Sequence, residues 1–153
     1  MPTFRFRAQP ALDLRRREHD AAQRALARAD AERQRARDRV DTADRALSAA
    51  QRDLDDVSRT PGSQQEREWY RFWIVRLEQE RTALQVTLTA CEAAVAVTRA
   101  ACLNARQRCE ALERFREKAY VAYLAAEAVR DRKMIDELAA RRFTARRNVS
   151  EGA

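Results

Sequence analysis

A seven-residue repeat of apolar and small side chains runs through the first third of the chain. Its first line is Leu12, His19, Leu26, Arg33, Val40, Leu47 and Leu54, and its second line is Arg15, Ala22, Ala29, Ala36, Ala43, Ala50 and Val57. Two such lines, three residues apart and sustained over nearly seven heptads, are typical of a helix that pairs with another helix in a coiled coil. Because the second line is mostly alanine, we expect the partner helix to approach closely.

A turn and a second helix follow the repeat. Pro61-Gly62 is a turn signal that stops a helix. Ser63 and Glu66 have the spacing of a capping box, which predicts a helix that starts near Gln64. This second helix has its own line of residues in steps of four and three: Tyr70, Ile74, Leu77, Arg81, Leu84, Leu88, Cys91, Val95, Thr98, Cys102, Ala105, Cys109, Leu112, Arg116, Ala119, Tyr123 and Ala126.

These patterns predict an all-α fold, an antiparallel two-helix coiled-coil hairpin with a longer, overhanging C-terminal helix. Two helices with one stripe each and a short connection must fold back on each other. With only two glycines and three prolines, the chain lacks the turn residues that sheet folds need. The predicted segments are a basic and aromatic segment 1–9, one helical-hairpin domain 10–143 (helix 1 about 10–58, turn 59–63, helix 2 about 64–143) and a flexible tail 144–153.

The overhanging end of the second helix changes its apolar face. A new stripe appears one position along from the first: Tyr120, Leu124, Ala128, Asp131, Ile135 and Leu138. A shift of one position changes the winding and turns the apolar face toward a different neighbour. A lone helix cannot bury this face against itself, so we expect it to dock into a partner; the alternative is a solvent-exposed, frayed helix.

Four aromatic residues cluster just after the turn, in the run Trp69-Tyr70-Arg71-Phe72-Trp73. At 100° per residue, Phe72 lies nearly opposite the line that contains Tyr70 and Leu77. Exposed Trp and Phe beside Arg are typical of a protein-binding hot spot. For Trp73, packing over the turn is an equally good interpretation.

Charge and chemistry exclude several classes of function. The net charge is +7, but acidic residues alternate with the arginines, which argues against a nucleic-acid binding protein. His19 is the single histidine, and the sequence has no glycine-rich phosphate loop, so we expect neither an enzyme nor a cofactor. The three cysteines all lie on the line of the second helix, where we expect small buried residues, and no metal site. We also expect no secretory signal and no transmembrane segment.

Several segments carry a resemblance to a known family. They are Phe4-Arg-Phe-Arg7, Leu12–Glu18, the aromatic helix start Tyr70–Leu77, Leu112–Lys118, and the ending Asp136-Glu-Leu-Ala-Ala-Arg-Arg-Phe143. In this order, and over nearly the whole chain, they resemble the flagellar FliJ family. Pro10 departs from that family's usual first helix, and we expect it at the first helical position.

The resemblance implies a soluble component of the flagellar type III export apparatus, built as a two-helix coiled coil. It implies three partners: the hexameric export ATPase, in whose pore it would sit as a central stalk, the membrane export gate, and export chaperones. It implies a cytoplasmic location at the inner face of the membrane. The alternatives are a stalk protein of an injectisome, a stalk subunit of a rotary ATPase, a basic coiled coil that binds nucleic acid, and an unrelated structural coiled coil.

Two sets of residues are the candidate contact sites. For docking to the ATPase we expect Phe4, Phe6, Met134, Ile135, Leu138, Arg141, Arg142 and Phe143. For contact with the export gate or a chaperone we expect Trp69, Phe72 and Trp73. Both sets of residues would act through mechanical and electrostatic contact with a partner, and neither set would catalyse a reaction.

Overall fold

Two long α-helices make up this protein. The computed structural model describes residues 3–150, with the side chains of 3–145. Helix α1 spans Gln9–Ser58 and helix α2 spans Gln64–Ser150. The two helices pack together, the described part of the chain is 92% helical, and it contains no strand. The predicted all-α class and helical hairpin are confirmed.

Helix α1 begins one residue before the predicted start. The backbone N–H of Leu12 donates to the carbonyl of Ala8 (3.0 Å), and the N–H of Gln9 donates to the carbonyl of Phe6 (3.1 Å). Pro10 is therefore the second helical residue rather than the first. It is tolerated there because the first four N–H groups of a helix have no acceptor inside the helix.

The connection between the helices is fixed by backbone and hydroxyl hydrogen bonds. Gly62 has φ of +90°, a conformation that side-chain-bearing residues rarely adopt. The hydroxyl of Ser63 donates to the carbonyls of Val57 (2.9 Å) and Thr60 (3.1 Å), which satisfies acceptors at the end of α1. The carbonyl of Ser63 accepts from the N–H of Arg67 (3.0 Å), so Ser63 occupies the position before α2. The capping-box contact of Glu66 stays a prediction.

Helix α2 continues beyond its predicted end at Phe143. The structure is helical to Ser150, so residues 144–150 of the predicted flexible tail are helical, and 151–153 lie outside the described residues. The stretch 144–150 has neither glycine nor proline to stop a helix. The hydroxyl of Thr144 also donates back to the carbonyls of Ala140 (2.9 Å) and Arg141 (3.0 Å).

Contacts between Cα atoms group the chain into two units, and each helix runs through both. One unit comprises Met1–Arg16 and Gln107–Ala153, and the other comprises Arg17–Arg106. The sequence predicted one domain over 10–143, and that division stays a prediction.

The unit Arg17–Arg106 is a hairpin. Its core is formed by residues of the predicted heptad lines of α1 and of the predicted line of α2. Ala36 and Val40 of α1 form a buried cluster with Leu88 of α2, and Leu84 and Cys91 pack against it. The other buried core residues of this unit are Ala43, Ala50, Leu77 and Val95. Every predicted line position of α1 in this unit is buried or half-buried, as the heptad argument requires.

Arg81 interrupts the line of α2 and lies at the edge of this core. Its guanidinium pairs with the carboxylate of Asp44 on α1, and both side chains are nearly half exposed. The arginine stem can follow the helix pair while its charged head stays in water. An exposed pair of this kind contributes little to stability, about 1 kcal/mol at most.

In the other unit, the first turns of α1 pack on α2. Leu12 is fully buried and Cys109 is 6% exposed. The guanidinium of Arg16 donates to the carboxylate of Glu113 at 3.1 Å, in a pair that is about half exposed. The predicted placement of the cysteines is confirmed, because Cys109 is buried and Cys91 and Cys102 are half-buried.

Helix α2 contains one apolar window that the sequence analysis did not expect. An 18-residue stretch within Gln64–Ala145 has a mean hydropathy of 1.4, which by length and composition is enough to cross a membrane. Only 11% of that stretch is buried in the fold. One such window is weak evidence for a membrane span, since helices of soluble proteins also reach this value. The expectation of no transmembrane segment stays a prediction.

Candidate functional site

The C-terminal part of α2 exposes a row of large apolar side chains. All side chains from Ala128 to Ala145 are exposed. The exposed fractions are 63% for Met134, 65% for Ile135, 56% for Leu138 and 69% for Phe143. We call Met134, Ile135 and Leu138 the C-terminal apolar face; Phe143 lies on the other side of the helix, about 180° from Met134 at 100° per residue. Exposed apolar patches of this kind mark sites of protein interaction.

Basic residues flank the C-terminal apolar face. Between Arg130 and Arg142 the chain carries five basic residues and three acidic ones, a net charge of +2. Arg130 pairs with Glu127 at 3.1 Å. Arg141 and Arg142 are exposed just before Phe143. The segment can therefore offer apolar contact and positive charge to one partner.

The N-terminal segment packs against α2, before the C-terminal apolar face. The ring of Phe4 lies 5.2 Å from Tyr120 and 5.5 Å from Tyr123, measured between centroids. Phe6 lies 5.6 Å from Phe115. Tyr123 precedes Met134 by eleven residues, about 16 Å of helix. The structure thus brings Phe4 and Phe6 to α2, but not beside the six other residues of the predicted ATPase-docking set.

Phe115 was not singled out by the sequence analysis as a contact of the N-terminal segment. Phe115 is 57% exposed even with Phe6 against it. It lies outside the line of α2, three residues after Leu112. The one available signal was the recurrence of aromatic residues at 115, 120 and 123, which does not indicate what they contact.

Replacing Phe4 with alanine should release the N-terminal segment locally. Its two ring contacts are lost, at about 0.5–1.5 kcal/mol for each aromatic pair beyond the area buried. Hydrogen exchange should then become faster at the N–H of Gln9, which bonds to Phe6, and stay unchanged at amides near Val40. Thr3→Ala, at an exposed neighbouring position, is the control; unchanged exchange in Phe4→Ala would contradict this packing.

The second candidate site, Trp69, Phe72 and Trp73, lies in the other unit, near the start of α2; we call it the aromatic patch. Trp69 and Trp73 stack at 6.0 Å with 15° between their planes, and Trp69 meets Tyr70 edge-on at 5.0 Å. Phe72 is 70% exposed, Trp69 57% and Trp73 36%. Trp73 therefore stacks along α2, and all three side chains offer surface to a partner.

A helical hairpin with exposed apolar surfaces is typical of the class of proteins that act by binding other proteins. The model of the protein family described as "Flagellar FliJ protein" matches residues 4–148 of this chain. The chain therefore belongs to the FliJ family, which confirms the resemblance and identifies a protein related to flagellar export. Proteins of this family are structural or chaperone-like rather than catalytic. No curated protein and no solved structure gave a match.

Proposed function

We propose that this protein is the central stalk of the hexameric flagellar export ATPase and promotes its assembly and activity. The observation that carries the proposal is the C-terminal apolar face, a helical surface left uncovered in a member of the FliJ family. A stalk needs a helical segment that a ring can surround, and residues 128–145 supply one with every side chain exposed.

The mechanism of this stalk is contact, not chemistry. Met134, Ile135 and Leu138 would be removed from water inside the ring, which favours insertion by about 25 cal/mol for each Å² of apolar area buried. Arg141 and Arg142 would meet acidic side chains or backbone carbonyls of the ring subunits. Hydrolysis of ATP is the chemistry of the partner.

The aromatic patch would serve a second contact, to the membrane export gate or to an export chaperone. Trp and Phe side chains with exposed rings are the residue types that dominate interface energies. Arg71 lies within the same run and can add charge-assisted hydrogen bonds. This role would place the protein in the cytoplasm, peripherally associated with the inner face of the membrane at the flagellar base.

Co-purification with the hexameric export ATPase tests the proposal. We expect the two proteins to elute together, and the rate of ATP hydrolysis to rise when this chain is added at equal subunit concentration. A salt series is the control, because an interaction that depends only on net charge weakens strongly between low and physiological ionic strength, whereas apolar contact does not. Absence of a complex, together with an unchanged hydrolysis rate, would exclude the stalk role.

A further inference from the structure

The side of α2 that carries the C-terminal apolar face begins beneath the N-terminal segment. At 100° per residue, six apolar or aromatic side chains between positions 120 and 138 lie within about 60° of one another's common line through Tyr120. We call them the extended apolar side: Tyr120, Tyr123, Leu124, Met134, Ile135 and Leu138. From its first to its last residue this side is about 27 Å long.

Phe4 covers the first turn of the extended apolar side. Its ring contacts Tyr120 and Tyr123, and Tyr123 is half-buried. The next residue, Leu124, is 48% exposed, and the side chains of 128–145 are all exposed. Phe4 therefore occupies the place that a partner lying along the extended apolar side would reach last.

The N-terminal segment, residues 3–8, is held on α2 by side chains and not by its backbone. Besides the ring contacts of Phe4, Phe6 lies against Phe115, which stays 57% exposed. Among the described residues, the carbonyls of the segment accept two backbone hydrogen bonds, and both come from the start of α1. An open cleft of about 540 Å³ is lined by Phe4 and Tyr120, so the rings are not closely packed on all sides.

We infer that the docking surface for the export ATPase extends beneath the N-terminal segment to Tyr120 and Tyr123, and that docking displaces Phe4 from them. The inference rests on the proposed stalk function. The part of the ring that contacts the C-terminal apolar face can continue along the same side of the helix without a break in direction. It then meets the ring of Phe4, and the two cannot occupy the same surface.

The charged residues of this side indicate what the partner surface must contain. Glu127 and Asp131 lie between the two apolar ends of the extended apolar side. Glu127 pairs with Arg130, whereas Asp131 has no ion pair or hydrogen bond in the described part of the chain. A carboxylate that is covered without a partner is costly. The ring should therefore place a lysine or an arginine opposite Asp131, between apolar side chains.

The two ring contacts of Phe4 set the size of the expected effect. Together they correspond to a factor of about 5 to 160 in the equilibrium between the covered and the uncovered state of Tyr120. A partner that needs the uncovered state binds with an affinity reduced by the fraction of molecules in that state. Loss of the large apolar side chain of Phe4 should therefore strengthen docking.

Titration of the export ATPase with variants of the full chain tests the inference. Phe4→Ala should lower the concentration for half-maximal stimulation about fivefold or more, and leave the maximal rate unchanged. Phe6→Ala should act in the same direction, because Phe6 contacts Phe115, about 140° around the helix from Tyr120. Thr3→Ala, at an exposed neighbouring position, should leave the concentration unchanged.

A second substitution separates the covered surface from its cover. In the Phe4→Ala background, Tyr120→Ala should raise the half-maximal concentration about fivefold or more, because it removes a contact of docking itself. Phe115→Ala in the same background is the matched control, since Phe115 is an exposed aromatic residue outside the extended apolar side, and it should not raise the concentration. Circular dichroism of each variant shows whether the hairpin is intact.

The possible results distinguish this inference from the stalk role. A higher half-maximal concentration in Phe4→Ala would mean that Phe4 itself binds the ring, and it would overturn the inference. Equal values for Phe4→Ala and the wild-type chain would do the same, as would no change when Tyr120→Ala is added. In all three results the protein still stimulates the ATPase, so the stalk role stands. Absence of stimulation by the wild-type chain would overturn both.

Discussion

Removal of residues 124–153 should abolish the stimulation of the export ATPase and leave the helicity per residue of the remaining chain unchanged. The deletion takes away the C-terminal apolar face, whereas the buried residues Leu12, Val40 and Leu88 and their neighbours remain. Helical stability in proteins comes mostly from packing of an apolar face, so the hairpin should persist. Unchanged stimulation by the shortened chain would contradict docking through this end.

Point substitutions in the full chain separate docking from the loss of a long segment. Ile135→Asp combined with Leu138→Asp puts two carboxylates on a surface that is 56–65% exposed, so the fold should tolerate them. If these residues are interface hot spots, each worth about 2 kcal/mol, the concentration for half-maximal stimulation should rise about 30-fold for one residue and roughly 1,000-fold for the pair if the two losses add. Leu14→Asp is the matched control, because Leu14 is 50% exposed on α1.

Leu88→Asp should have the largest effect on stability. Leu88 is 6% exposed and forms the buried cluster with Ala36 and Val40. Its replacement loses about 1.5–3 kcal/mol of apolar burial and adds an unpaired carboxylate to the core, so we expect a total of at least ~4 kcal/mol. The melting temperature, followed by circular dichroism, should fall by about 10 °C or more.

The neighbouring position supplies the control for Leu88. Thr87 is exposed, so Thr87→Asp should change the free energy of unfolding by about 0.5 kcal/mol or less. Asp44→Ala should also cost about 1 kcal/mol at most, since it removes only the exposed pair with Arg81. Equal destabilisation by Leu88→Asp and Thr87→Asp would contradict the register of the hairpin.

The hairpin could be predicted from the sequence because the residues that pack between the helices recur at regular spacing. Ala36 and Val40 belong to the heptad lines and Leu88 to the line of α2, so burial follows from spacing alone. Pro61-Gly62 likewise predicted the turn, and Gly62 has the positive φ of such a residue. The end of α2 was less predictable, because propensity alone does not fix where an exposed helix stops.

The sequence was enough to predict which residues of the candidate sites are exposed, but not which residues of the chain they pack against. Exposure of Phe72 follows from its distance around the helix from the buried line, whereas exposure of Ile135 follows from the predicted overhang of the longer second helix, where every side chain from 128 to 145 is exposed. The packing of Phe4 on Tyr120 does not follow from spacing, because residues 3–8 have no periodic pattern and their contacts lie more than 100 positions away. The partners of the exposed residues could not be predicted, because binding also depends on the surfaces of the other proteins.

The buried alanines of α1 have a mechanical consequence. Ala36, Ala43 and Ala50 each place one methyl group between the helices, where a leucine would place four carbons. Layers with so little interlocking resist bending and twisting weakly, because few atoms must lose contact when one helix slides along the other. The hairpin of residues 17–106 should therefore bend and twist gradually along its length when force is applied to it, rather than behave as a rigid rod.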